Sequence, residues 1–356
     1  MLDVKSFVTA VAIGIFHKEN VSNRIEYLGG AFFPTVQKQG LTLKWLVEEI
    51  GLPVSLKPSA FDTVSTIRSR EGFKEKETEM AFFKESMLVK ERDEQDFMEL
   101  ADSNSPRAKE IIGRIFNDAE KLIASADVVP ERMIWQLLCP QTDGKPAISI
   151  SGDGATYEYD YDPNETWVDT NFVELAGTSK WTDSTNADPI NDISALIEVL
   201  EDNSGERPAY MVLNSATLSY LKKSAKLKAN VLAQNPTANV NMSDARVKAL
   251  FMEELQLTVL VYNKKYKADN GDAVKFVPDG FVALLPEGNV GNMYKGVTPD
   301  ERAKAQDPKR DTVLTDNYVA VTTFLSNDPV QKKVTVSEIC LPSWEKQDAC
   351  GCIKAY

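Results

Sequence analysis

Between residues 106 and 126 the apolar positions fall into register. Ile112, Ile115, Phe116, Ala119, Leu122, Ile123 and Ala126 recur three and four apart, which is the spacing of one helical face. Ser105 can cap such a helix, Pro106 suits its first position and Glu110 follows in the opening turn. About twenty residues would give about 30 Å of amphipathic helix. Pro130 is predicted to break or kink it before a second apolar turn or two in "ERMIWQLLC".

After residue 145 the period shortens to two. "AISISGDGATYEYDYDP" reads as a hairpin around Gly-Asp-Gly, with Thr156, Glu158 and Asp160 alternating against Tyr157, Tyr159 and Tyr161. From Asp188 onward helix and strand patterns alternate. "DPINDISALIEVLED" reads as a helix starting near Asp188 or Asn191. "SATLSYLKKS" reads as one opened by Ser215, and "SDARVKALFMEEL" as one capped by Ser243. "PAYMVLN", "LTVLVYN" and "GFVALLPEG" read as apolar strands, so residues 188–330 are expected to form an α/β module.

The first 60 residues hold short apolar patches broken by Gly29, Gly30, Pro34, Gly40, Gly51, Pro53 and Pro58, an arm that needs something to pack on. Within it Phe7 to Phe16 is too short to span a bilayer and reads as a short buried helix. Residues 67–97, "IRSREGFKEKETEMAFFKESMLVKERDEQDF", mix charge of both signs with apolar clusters. Met80, Phe83 and Met87 fit a helix, while Phe83, Met87 and Val89 equally share one face of a strand.

Composition narrows the chemistry. At 356 residues, two or three substructures are expected. A net charge of −13 argues against a chain that coats nucleic acid, which needs Lys and Arg to displace counterions from phosphate. His17 is the one histidine, so a Ser-His-Asp or Cys-His arrangement would have to use it, and an H-E-x-x-H zinc site cannot be made. Neither a P-loop nor a G-x-G-x-x-G turn occurs. "CGC" at 350–352 could bind a soft metal with Cys139 or Cys340, but zinc sites use C-x-x-C pairs, and small residues in a terminal segment are the plainer reading. "DYDPNETWVDTN" starts like a calcium loop at Asp160, Asp162 and Asn164. However, Glu165 holds the glycine position and Asn171 the place of the bidentate Glu, so an acidic turn is expected.

The order of arm, charged excursion, long helix, small sheet and α/β module resembles the phage lambda-type major capsid proteins, the capsid protein E family. "LPVSLKPSAFDTVSTIRSREGF", with Arg68 to Arg70, resembles the family's entry into its extended loop. "LADSNSPRAKEIIGRIFNDAEKLI" is similar to its L-A-D and spine helix, with Pro106. "GTSKWTDSTNADPINDI" resembles its G-x-x-x-W-[ST] … D-P-x-x-D-I crossing at Gly177, Trp181, Asp188, Pro189 and Asp192. "VKFVPDGFVALLPEGNVG", with Pro278 and Asp279, and "NDPVQKKVTVSEICLPSW" resemble its last strands. A longer apolar N-terminus and a cysteine-bearing tail depart from the pattern.

The resemblance implies an α+β chain of the Hong Kong-97 phage capsid fold. Its parts would be an N-arm (1–50), an E-loop β-hairpin region (51–100), a P-domain with spine helix and small sheet (101–187), an α/β A-domain (188–330) and a C-terminal strand and tail (331–356). It implies a self-assembling shell subunit without catalytic, cofactor or metal residues. Pentamers and hexamers would enclose DNA without sequence-specific binding, with portal, scaffold and decoration proteins as partners and no membrane. Under it residues 67–97 form two long strands around a tip near Gly72 to Glu79. The expected intersubunit residues are Arg68, Arg70, Lys74, Glu75, Lys76, Glu77, Lys84, Glu85, Lys90 and Arg92. Two other functions compete: an encapsulin-like nanocompartment shell of the same fold, separable by its gene neighbours, and a carboxylate-dependent hydrolase, which needs a pocket with perturbed carboxylates.

Overall fold

A computed structural model describes residues 8–20, 26–47, 74–92, 95, 106–152, 155–232, 242–268, 270–307, 310–327 and 330–356. In chain order it opens with helix α1 (Ala10–Glu19), a short turn of helix α2 (Gly29–Phe32) and strands β1 (Thr35–Lys38), β2 (Thr42–Val47), β3 (Lys74–Glu79) and β4 (Ala81–Val89). The long helix α3 (Pro106–Leu138), strands β5 (Ala147–Gly152) and β6 (Ala155–Asp160), helix α4 (Thr166–Asn171) and strand β7 (Phe172–Glu174) follow. Next come helix α5 (Pro189–Ser204), strand β8 (Tyr210–Leu213), helices α6 (Ser215–Lys223), α7 (Ala225–Leu232) and α8 (Asp244–Leu255), and strand β9 (Thr258–Val261). The chain ends with β10 (Lys265–Lys267), β11 (Ala273–Lys275), β12 (Phe281–Leu285), β13 (Gly291–Gly296), helix α9 (Pro299–Gln306), β14 (Thr312–Leu314), β15 (Ala320–Asn327), β16 (Val330–Trp344) and β17 (Gly351–Lys354).

Two sheets organise these elements. The first runs β1-β13-β16-β15-β14, with β4 on the other edge of β16. Cys340 pairs with Lys295 of β13 on one side and Ala81 of β4 on the other, so β16 is the strand both halves share. The second sheet is mixed and runs β7-β17-β12-β8-β9. Its middle strand β12 is buried at all five positions, as a continuous apolar run requires. Helices α5 and α8 supply Leu196, Ile197, Leu200, Val247 and Phe251 to the core against it. The small hairpin β5–β6 forms as its alternation predicts, with Thr156 and Glu158 outward and Tyr157 and Tyr159 half-buried.

Helix α3 runs unbroken through Pro130, against expectation. Pro130 lacks the N–H that would reach residue 126, and proline inside a helix costs about 3 kcal/mol. Packing on both sides outweighs that. Ile115, Ala119 and Ile123 sit in a core with Val8, Ile13, Val89, Val321 and Val334. Met133, Ile134 and Leu137 sit in a second core with Phe33, Leu285 and Trp344. The N-terminal run is helical as expected, with the Thr9 hydroxyl accepting from the Ala12 N–H at 3.1 Å.

The charged stretch departs most from its reading. No hairpin tip lies at 74–79. Those residues are strand β3, which pairs with β2 from Thr42↔Glu79 to Val47↔Lys74. Strand β4 begins after Met80 alone and pairs with β16 instead. The hairpin is therefore β2–β3, closed through residues 48–73, and that segment, with Gly72, lies outside the described residues. The physical reason is composition: the Lys-Glu alternation of β3 lets it pair with β2, which itself buries Leu43 and Trp45 in the core, whereas Ala81, Phe82, Phe83, Met87 and Val89 need a covering layer.

Three smaller readings also change. Residues 188–330 do not share one sheet, because β13, β14 and β15 leave the second sheet for the first. Residues 331–356 hold no loose tail, since β17 lies inside the second sheet between β7 and β12. Helix α6 is capped by Asn214, whose Oδ1 accepts from the Thr217 N–H at 2.9 Å, while the Ser215 N–H donates to Asn263.

Candidate functional site

Three groups of polar side chains fix how the layers meet, and the remaining candidates lie on the surface they leave. At the first, Glu131 sits directly after Pro130 and is 2 % exposed. Its carboxylate accepts from the Gly29 N–H at 3.0 and 3.1 Å, the Trp135 indole at 2.5 Å and the Tyr262 hydroxyl at 2.7 Å. One carboxylate thus ties the N-terminal arm, the spine helix and the strand β9 end together. Burial pushes its pKa up, and the Tyr262, Trp135, Gly29 and Leu28 hydrogen bonds pull it back. The nearby Tyr27 hydroxyl is pushed to about 12 by burial, then by Asp127 and Glu131. Gly29 is required here, because a Cβ would stand 2.5 Å from the Glu131 Oε2. The sequence reading missed this residue. The signal was an acidic side chain set inside the apolar run "PERMIWQLLC".

Within the first sheet, Lys295 of β13 and Glu338 of β16, the strand beside β4, form an ion pair with both side chains at most 2 % exposed. Burial pushes the Glu338 carboxyl up, and Lys295 opposes this without cancelling it. Beside them the buried Asp300 accepts from Lys84 at 2.8 Å, Ser337 at 3.1 Å and Arg310 at 3.4 Å, which fastens β4 to α9. Gly291 permits β13 to approach β16, since a Cβ would lie 2.0 Å from the Ser343 carbonyl.

Of the expected intersubunit residues, Arg68 and Arg70 lie outside the described residues. Lys74, Glu75 and Lys76 are placed in β3 as backbone. Glu77 pairs with Lys44 across the ribbon at 2.8 Å, both half-exposed. Lys84 reaches Asp300 inside its own subunit at 2.8 Å, with its side chain still 38 % exposed. Glu85, Lys90 and Arg92 are exposed.

The motif positions turn out to be structural. Asp188 caps α5, with Pro189 at its first turn, and takes Lys226 at 2.9 Å. The Trp181 indole donates to Asp192 at 2.9 Å, and burial raises the Asp192 carboxyl. Gly177 takes a φ of 58°. Asp279, after Pro278, accepts from Asn214 at 2.7 Å and Lys275 at 2.5 Å. Helix α3 starts at Pro106.

The remaining chemistry-bearing candidates are absorbed by the core. Asp162 accepts from the N–H groups of Thr166, Trp167 and Val168, so the acidic turn caps α4. Cys139, Cys340, Cys350 and Cys352 are all buried and free, and burial pushes the Cys350 thiol up to about 12. Gly351 keeps β17 tight, because a Cβ would meet Leu200 at 3.0 Å and the Asn171 carbonyl at 3.2 Å. His17 packs Nδ1 against Glu120 at 2.9 Å. Among the described residues no group of three or more His, Cys, Asp or Glu could hold a metal ion, and no helix is long and apolar enough to cross a membrane.

What is left exposed is surface for contact. Val11 and Ile15 stand half-exposed on α1, Leu325 projects from β15, and the β2–β3 ribbon lies off both large sheets. A cleft of about 720 Å³ opens between α3, β4, β5–β6 and β10, lined by Phe83, Arg132, Tyr157 and Tyr266 among others.

Comparison with solved structures gives the fold. A phage-related protein of Bordetella bronchiseptica RB50 is 16 % identical, with a TM-score of 0.56 over 98 % of this chain and 97 % of that one. A prophage protein of E. coli CFT073, whose description proposes a capsid role, is also 16 % identical. Its TM-score is 0.59 over 98 % of this chain and 99 % of that one. The fold is that of the Hong Kong-97 phage capsid, with α and β elements in separate layers as expected. No curated protein sequence matches the chain. Residues 18–350 match the family described as "Phage major capsid protein E". With nearly the whole chain covered by that match, the chain belongs to the phage major capsid protein E family.

Proposed function

We propose that copies of this chain close into pentamers and hexamers of an icosahedral head shell around packaged double-stranded DNA. The β2–β3 ribbon would reach a neighbouring subunit. The observation that carries this is the ribbon itself: two strands, off both sheets, with no third strand among the described residues. Leu43 and Trp45 anchor the base of the ribbon in the subunit core, while β3 leaves its outer edge without a strand partner among the described residues, and a neighbouring subunit would cover that edge. The ribbon's mixed charge keeps its edges from pairing indiscriminately beforehand.

Capsid proteins of this family are structural, and their subunits assemble into multi-subunit shells. Portal, scaffold and decoration proteins are the finer partners in this reading, with assembly in the host cytoplasm. The net charge of −13 suits a lining that faces DNA without gripping it. The function needs no catalysis. Individual surface ion pairs contribute about 0–1 kcal/mol each, and repetition over a closed lattice makes them sufficient while leaving each reversible.

Purified protein should form capsomers or shells in negative-stain microscopy and sediment as such. A stable monomer at every salt concentration tested would overturn the reading. Arg68→Glu combined with Arg70→Glu should leave the subunit folded by circular dichroism and reduce shell yield. Normal particles from that variant would remove those arginines from the interface.

A further inference from the structure

Strand β10 and the residue before it carry Lys264, Lys265 and Lys267, all exposed. On a chain with 53 acidic and 40 basic residues these three form no ion pair among the described residues. Among the described residues the hairpin's other charges have partners: Lys275 pairs with Asp279 at 2.5 Å, and Asp272 accepts from Asn270 at 2.7 Å in the turn. Tyr266, between the lysines, turns inward onto Phe276 at 5.1 Å and under the Arg132 guanidinium at 5.4 Å. Alternation therefore holds Lys265 outward on this support, while the exposed Lys267 stands at the border of the cleft that Tyr266 lines.

The opposite surface lies on α5 and α8, which pack against each other. There Val199 and Met252 are exposed at 38 % and 47 %, large apolar side chains left on a helical face. Exposed carboxylates accompany them: Glu198 and Asp202 on α5, and Glu253 and Glu254 on α8. Among nearby bases, Arg207 is taken by Glu201 at 2.8 Å and the Leu255 carbonyl, and Lys248 stands one turn before Met252. These two helices thus carry exposed apolar side chains and four exposed carboxylates, and the hairpin is basic over an aromatic base.

We infer that the Lys264–Lys267 hairpin of one copy docks on the Glu253–Glu254 face of α8, with Glu198 and Asp202 of α5, in a second copy. Two different patches of one chain make a head-to-tail contact, which repeats around a ring until it closes. Charge complementarity chooses the occupant: the unpaired lysines need carboxylates, and the abundant acidic surface in a shell is another copy. The inference rests on the assembly proposed above.

Shells grown from an equal mixture of unlabelled and nitrogen-15-labelled protein, treated with a zero-length carbodiimide, provide the test. Mixed-label peptides joining Lys264, Lys265 or Lys267 to Glu253, Glu254, Glu198 or Asp202 are expected. Single-label products only, links to other carboxylates, or none from these lysines overturns the contact while leaving assembly intact. A wild-type chain that never assembles overturns the assembly reading and this inference with it.

Charge exchange gives a second arm. Lys264→Glu/Lys265→Glu/Lys267→Glu and, separately, Glu253→Lys/Glu254→Lys should each cut shell yield about tenfold, and joining all five changes should restore most of it. A combined variant no better than either parent, with each folded by circular dichroism, overturns the pairing. Should a variant fail to fold, the wild-type cross-links decide. Shells of the lysine variant that form normally but retain less of a defined DNA duplex would assign the lysines to nucleic acid and overturn the inference.

Discussion

Strands β3 and β4 are consecutive, separated by one residue, and drawn from the same charged stretch, yet they meet opposite fates. Strand β3, "KEKETE", has no apolar residue and, among the described residues, pairs only with β2, whose Leu43 and Trp45 are buried. Strand β4, "AFFKESMLV", buries its ends, lies along nine residues of β16 and rests on the spine helix. The difference shows that charge density did not distinguish interface from body. The spacing of the apolar residues did, together with the availability of an unpaired edge on β16. Even the charges of β4 are used at home: Lys84 reaches the buried Asp300.

This contrast can be broken at several depths. Lys295→Met, in the sheet that holds β4, should be the most damaging. Losing one partner of a buried ion pair costs about 3–5 kcal/mol. Thermal or denaturant unfolding of the purified subunit should show it, and adding Glu338→Leu should recover much of the loss. A single variant as stable as wild type would mean that the pair adds nothing to the β4 layer.

Met80, the residue between the two strands, is 2 % exposed and packs near Gly296. Met80→Ala should cost about 2–4 kcal/mol by cavity formation. It should also loosen both strands, read as faster hydrogen exchange in β2–β3 and in β4 together. Faster exchange confined to one of them would show that the joint does not couple them.

Lys84→Ala should cost about 1 kcal/mol, because Asp300 keeps Ser337 and Arg310 while losing a partly solvated cation. The smallest change in stability is expected for Lys44→Ala in the ribbon, below about 1 kcal/mol in the unfolding midpoint. If removing Lys44 destabilised the subunit as much as removing Lys84, the charged face of the ribbon would carry as much of the subunit's stability as the charges of β4, and the contrast would fail.

Much of the second sheet and its helices was legible in advance. Asp188 and Pro189 open α5 and Ser243 caps α8 where their spacing places them, because capping is a local hydrogen bond between neighbours in sequence. The hairpin β5–β6 was legible for the same reason: period two and a Gly-Asp-Gly turn are local signals. Pro130 misled because its penalty is local, whereas the gain that overrides it comes from two cores at either end of α3. Glu131 was invisible because its donors, Gly29 and Tyr262, lie 102 and 131 residues away along the chain. The cysteines near the C-terminus read as a tail because nothing in "CGC" says that β12 and β7 wait on either side of it.

The sequence by itself determined most helices and strands of the second sheet, the caps of α5 and α8, the shell-forming family and the want of histidine chemistry, since these follow from local spacing and residue identity. Tertiary structure alone decided which strands became partners and which buried polar groups were satisfied. Strand pairing and the burial of Glu131, Lys295 and Glu338 depend on groups far apart in the chain. Only folding brings such groups within hydrogen-bonding distance and lowers the dielectric around them.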